Sequence, residues 1–175
     1  MKARTLVTAT AMLLVAIVGG AILMPGSIEA QHPVVRVDRI HVDKSAHRMT
    51  VFANGHAIRT FAVALGRGGL EPKTRQGDGR VPEGDYAITG RNPQSAYYLS
   101  LRIGYPTPSQ SAAAMAQGID PGGDIMIHGL PKGRGWVNDR HRLVDWTQGC
   151  VAVTNDEINW LWRAVSDGTP IHIEQ

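Results

Sequence analysis

Cys150 is the only cysteine among 175 residues, and it lies in Trp146-Thr147-Gln148-Gly149-Cys150-Val151-Ala152-Val153. A lone cysteine in an exported chain is an intermolecular link, a buried inert thiol or a reactive thiol. A nucleophilic thiol needs a base or a cationic neighbour near neutral pH. It also needs hydrogen-bond donors for the oxyanion that develops on the attacked carbonyl. The chain supplies candidates for each. His128 ends the apolar run Ile125-Met126-Ile127-His128-Gly129, and Gly149 lets the backbone approach closely before the sulfur. The N–H groups of Gly149 and Cys150 then suit an oxyanion hole. His141 is the rival base, but Arg140 and Arg142 beside it predict a solvated loop residue. His128, His141 and Cys150 match no zinc spacing and no cysteine pair exists, so no metal is expected.

The elements that must position these residues read mainly as short strands. Val34 to Val42 alternates as a strand, and Met49 to Ala53 leads into Asn54-Gly55, a strong hairpin signal. Ala57 to Leu65 is the return strand. Gly66 to Gly84 is a long polar loop of the kind that is functional or mobile. Asp85 to Thr89 and Tyr97 to Ile103 are further strands. Ser109 is an N-cap for a short helix over Ser111 to Gln117, ended by Gly118. Asp124 to Ile127 is a buried strand that delivers His128, and 129–146 is a second polar loop. Thr154-Asn155-Asp156-Glu157 is a capping box, and Ile158, Leu161, Trp162 and Val165 make one apolar helical stripe. Asp167-Gly168 ends that helix, and Thr169 to Ile173 is a last strand. Asp145 and Trp146 are expected to anchor the cysteine turn by packing. The fold class expected is mainly β: an antiparallel sandwich or partly open barrel with one or two short helices.

Residues 1–30 read as a targeting segment: Lys2 and Arg4, an uncharged run from Leu6 to Met24, a Pro25-Gly26-Ser27 break, then Ile28-Glu29-Ala30. They are expected to be a cleaved signal peptide or an uncleaved membrane anchor, the membrane being met only there. Residues 31–175 are one domain, long enough to bury a core. The formal net charge is +3, and no run of Lys or Arg is dense enough for a nucleic-acid groove.

His-Gly at a strand end, a loop, and Thr147-Gln148-Gly149-Cys150-Val151 together resemble the L,D-transpeptidase catalytic domain. The stretch from Lys73 through Gly77-Asp78 and Pro82-Glu83-Gly84-Asp85-Tyr86 is similar to a second motif of that family, as is the first-strand pattern at Val42-Asp43-Lys44. The resemblance covers roughly residues 37–174. It implies an exported enzyme of the periplasm or cell envelope that acts on peptidoglycan tetrapeptide stems without a cofactor. Cys150 would attack the carbonyl on the L-centre of diaminopimelate, expel the terminal D-Ala and pass the acyl group to an amine. His128 would be the base, the Gly129 carbonyl would orient its ring, and Gly149 would give an oxyanion-hole N–H. Lys73, Asp78, Tyr86, Trp146 and Thr147 would contact substrate, with the Lys73–Asp78 segment as a lid. The chain departs from the commoner motif at Gln148 (usually His), Ala152 (usually Arg or Asn) and Val81 (usually Thr). Two other readings share the scaffold: a carboxypeptidase, endopeptidase or amidase in which water is the acceptor, and a non-catalytic wall-binding module.

Overall fold

Alternating burial along short strands builds the sheet that carries the site. The computed structural model describes residues 35–175, so the expected targeting segment, residues 1–30, lies outside the described residues. In β1 (Arg39–Asp43) Ile40 and Val42 face the core, in β2 (Arg48–Ala53) Met49 and Val51. The Asn54-Gly55 turn, with both residues at positive φ, leads into β3 (His56–Ala62). The sheet continues with β4 (Gly84–Asn92), β5 (Ser100–Ile103), β6 (Met126–His128), β7 (Val151–Ala152) and β8 (Pro170–Glu174). The strand order is β3-β2-β1-β8-β4-β5-β6-β7. The sheet curls into a half-barrel whose edge strands are β3 and β7. Beyond β3, Ala64 bridges Ala152 and Gly66 bridges Thr147.

The barrel is therefore mainly β and partly open, as the strand pattern implies, but its directions are mixed. The pairs β1–β8 and β6–β7 are parallel, and the other five are antiparallel. Both parallel pairs join strands distant in sequence, a relation that turn signals between neighbours do not encode. Three short helices pack around the sheet: α1 (Pro108–Ala116), a 3-10 stretch (Gly135–Leu143) and α2 (Asn155–Ala164).

Local chemistry sets the ends of these elements. Thr107, not Ser109, caps α1, because Pro108 occupies the first helical position and the Thr107 hydroxyl accepts from the Gln110 amide. Thr154 and Glu157 form the expected capping box of α2. That helix stops at Val165, short of Asp167-Gly168. Ile158 and Leu161 are fully buried, and each contributes about 1.5–3 kcal/mol by leaving water. Trp162 lies partly exposed against the core, with the Arg91 guanidinium 5.1 Å from its ring.

The loop from Gly66 to Gly84 has little regular structure but is firmly tied. Lys44, 1% exposed, pairs with Glu83 at 2.6 Å and donates to the Leu70 carbonyl. Lys73 pairs with Asp78 at 2.8 Å and donates to the Arg75 carbonyl. Asp78 also accepts from the backbone N–H groups of Thr74, Arg75 and Arg80. Burial alone would raise this carboxyl, but the Lys73 ammonium and the three amides hold it well below the usual carboxylate range.

Candidate active site

The adjacent parallel strands β6 and β7 bring Cys150 and His128 together. His128 stands opposite Ala152, two residues past Cys150, so period-2 alternation puts His128 and Cys150 on one face. Both line a cavity of about 380 Å³, with Met126, Asp124, Tyr97, Trp146, Thr147 and Gln148 around them. Cys150 is partly exposed there and His128 is 3% exposed.

The imidazole is fixed from two directions. Its Nδ1 lies 2.7 Å from the Gly129 carbonyl, so Nδ1–H donates and Nε2 is left as the basic nitrogen. Tyr97 covers the ring at a centroid distance of 4.4 Å, and Trp146 meets it edge-on at 5.6 Å. Gly129 has no room for a side chain: a Cβ would come within 2.7 Å of Asn155 Oδ1 and 3.1 Å of the Tyr97 carbonyl.

Both groups rest neutral. Burial pushes the His128 pKa down to about 4, against a smaller opposing effect of the Gly129 carbonyl. Burial pushes the Cys150 thiol up, while the Met126 backbone N–H pulls weakly the other way. The sulfur lies 3.6 Å from the Asp124 carbonyl. The cavity thus holds a neutral thiol and a neutral imidazole rather than a standing ion pair.

The cysteine turn is built on Thr147. Its hydroxyl donates to the Cys150 carbonyl at 2.8 Å and accepts from the Gly149 N–H at 3.1 Å. The Gly149 N–H, expected to serve an oxyanion, points in this structure to the Thr147 hydroxyl. Gly149 is required for another reason. Its φ is +122°, and a Cβ would sit 2.5 Å from the Arg80 carbonyl. A Cβ on Gly66 would meet the Gly79 carbonyl at 2.1 Å and the Gly149 Cα at 3.0 Å. Three backbone segments thus stack in contact, and the 66–84 loop props the cysteine turn from beneath. Asp145 ties the turn's approach, accepting from the Leu65 N–H at 2.7 Å and lying 2.9 Å from His47 Nε2. Exposed Gln148 is held by Arg67 at 3.1 Å.

Of the residues expected to contact substrate, Trp146 and Thr147 line the cavity with Cys150 and His128. Lys73, Asp78 and Tyr86 do not. Lys73 and Asp78 are occupied with each other, and the Tyr86 hydroxyl donates to the Glu83 carbonyl while accepting from Gln110 of α1. His141 is not solvated as its arginine neighbours suggest. It is 5% exposed, set edge-on to Trp146 at 6.4 Å, and lines a neighbouring cavity of about 310 Å³. The 3-10 stretch turns it inward, and burial lowers its pKa. Sequence reading missed Tyr97, which falls within an expected strand, yet β5 begins only at Ser100. The aromatic pair Tyr97-Tyr98 ahead of the strand was the only signal available.

A family model described as the L,D-transpeptidase catalytic domain (YkuD) matches residues 37–173. YafK of Escherichia coli (strain K12), a provisionally named L,D-transpeptidase, is 32% identical over 111 residues, covering 62% of this chain and 37% of YafK. The helical cell shape determining protein Pgp2 from Campylobacter jejuni has a TM-score of 0.61 at 23% identity, covering 81% of this chain and 48% of that one. An L,D-transpeptidase from Mycobacterium smegmatis has a TM-score of 0.53 at 17% identity, covering 78% of this chain and 58% of that one. Both structural likenesses carry the fold alone. The chain spans between about a third and three fifths of the length of these relatives.

Proposed function

The chain belongs to the L,D-transpeptidase catalytic domain family, and from that premise we propose that it is a cysteine acyltransferase acting on peptidoglycan tetrapeptide stems. The observation that supports this is the shared cavity of Cys150 and a neutral His128 whose ring is held at Nδ1.

On this reading the Cys150 proton passes to His128 Nε2 as the sulfur attacks the carbonyl carbon on the L-centre of diaminopimelate. The imidazolium returns that proton to the nitrogen of the terminal D-Ala, which leaves as a free amine. A thioester remains on Cys150. An amine of a second stem attacks it, its proton goes to His128 and then to the departing sulfur, and the thiol is restored. The Gly129 carbonyl keeps the tautomer correct and stabilises the transient imidazolium. With the Gly149 N–H engaged by Thr147, the Cys150 N–H is assigned to the developing oxyanion. Trp146 and Thr147 are the stem-facing walls. Every proton and bond is accounted for without a metal or organic cofactor.

Peptidoglycan lies outside the cytoplasmic membrane, so the reading includes export. Residues 1–30 would be the signal or anchor and residues 31–175 the catalytic domain. Among the described residues no helix is long and apolar enough to cross a membrane.

The test is the intact mass of the protein after incubation with a carbapenem. One adduct per chain, mapping to Cys150 and absent in Cys150→Ala, is expected. A titratable thiol with no adduct would defeat the acyl-enzyme. Muropeptide products then distinguish an amine acceptor, which yields cross-linked dimers, from water, which yields shortened stems.

A further inference from the structure

Alternation in β1 and β8 turns Ile40, Val42, Ile171 and Ile173 into the core and leaves His41, His172 and Glu174 on the other face. The strands are parallel, and their register sets His41 directly beside His172. On the other side of β8, Asp85 of β4 is the partner of His172. The two imidazoles stack with centroids 5.7 Å apart and planes 15° from parallel.

Both rings aim the same atom at one carboxylate. His41 Nε2 is 2.8 Å from Glu174 Oε1, and His172 Nε2 is 3.5 Å from Glu174 Oε2. One ligand atom from each residue falls within 4.8 Å of the others. The His172 Nδ1–H donates to Asp85 Oδ1 at 2.7 Å, which orients the ring and leaves Nε2 able to ligate. An ordinary surface ion pair needs one imidazole. Here two are carried on paired strands, and a second carboxylate sets the tautomer of one.

We propose that His41, His172 and Glu174 form a binding site for a divalent transition-metal cation of the zinc class, with Asp85 as its outer support and water completing the coordination. Two imidazoles and one carboxylate suit zinc, copper or nickel rather than calcium or magnesium. Metal–ligand bonds of about 2.0–2.2 Å set tetrahedral ligand atoms about 3.4 Å apart. The two imidazole nitrogens reach different oxygens of Glu174, at 2.8 and 3.5 Å, and the three ligand atoms within 4.8 Å of one another need side-chain shifts of about 1 Å to close on one cation. The site is independent of Cys150 chemistry, since β4, β8 and β1 stand on the far side of β5 from β6 and β7. Its effect is to clamp the C-terminal strand to the N-terminal hairpin, so the cation stabilises the fold by mass action.

The experiment uses untagged protein carrying Cys150→Ala, which removes the thiol as a competing ligand. Zinc is titrated by calorimetry, and cobalt is followed by its visible absorption. One-to-one saturable binding is expected, with a thermal midpoint that rises with zinc. His41→Ala or His172→Ala should abolish both, and Asp85→Asn should weaken zinc binding about 10–100-fold. His41→Gln keeps the bulk and should give the same loss if an alanine variant does not fold. No saturable zinc binding, or binding unchanged in His41→Gln and Glu174→Gln, overturns the proposal.

Discussion

The resting protonation of His128 gives the sharpest quantitative expectation. The ring is 3% exposed and packed between Tyr97 and Trp146, so charging it means stripping water from an imidazolium inside the protein. Its pKa falls from 6.5 to about 4. A step of about 2.5 in pKa, at about 1.4 kcal/mol each, amounts to about 3 kcal/mol. Between these two values the unfolded chain binds a proton at His128 and the folded chain does not, so stability rises with pH across the window. The contribution is complete above pH about 6.5, is lost steadily as pH falls, and is gone once pH drops through about 4. Urea unfolding of the wild type and of His128→Gln at several pH values isolates this effect. The difference between their stabilities should change by about 3 kcal/mol across the window, while that of His141, titrating in the same direction, cancels. Imidazole NMR should place the His128 titration near 4, and the raised thiol should show no thiolate absorbance at neutral pH. A His128 that titrates at or above 6.5, or a thiolate present at neutral pH, would refute the neutral-pair reasoning.

Other expectations follow from the same contacts. His128→Ala should slow carbapenem acylation by about 10²–10⁴-fold, the usual worth of a general base, while His141→Ala, whose side chain lines the neighbouring cavity, should slow it far less. Equal losses in the two single-turnover rates would remove His128 from its role. Asp78→Ala leaves the Lys73 ammonium, 2% exposed, without its carboxylate, and should cost about 3–5 kcal/mol in chemical denaturation; a loss below about 1 kcal/mol would show that the pair is not truly desolvated. Gly149→Ala forces a Cβ to within 2.5 Å of the Arg80 carbonyl at φ +122°. It should cost at least about 1–3 kcal/mol in thermal unfolding and slow acylation as the turn shifts; wild-type stability and rate together would contradict the stacked backbone.

Much of this molecule is written locally. Asn54-Gly55 declares its hairpin because both residues tolerate positive φ. The Thr154–Glu157 box and the Ile158–Leu161 stripe declare α2, because capping and 3.6-residue periodicity act within a dozen residues. A lone cysteine after a glycine, and a histidine closing an apolar run, single out the two residues that the fold places on one cavity. Local signals fail where partners are remote. The arginines beside His141 suggest solvent, yet the folded 3-10 stretch buries the ring against Trp146. The polar 66–84 segment reads as a long functional or mobile loop, yet Lys44 and Lys73 draw it inward, and its Gly79-Arg80 backbone packs against Gly149. The sequence alone thus determined most of the strands, the cap of α2, and the lone cysteine and strand-end histidine as candidates for chemistry. Only the tertiary structure decided that β6 and β7 run parallel, which sets Cys150 and His128 on one face. Only it buried the imidazole and turned the Gly149 N–H toward Thr147. Strand pairing and desolvation arise between segments far apart in the chain, and neither leaves a trace in the spacing of residues along it.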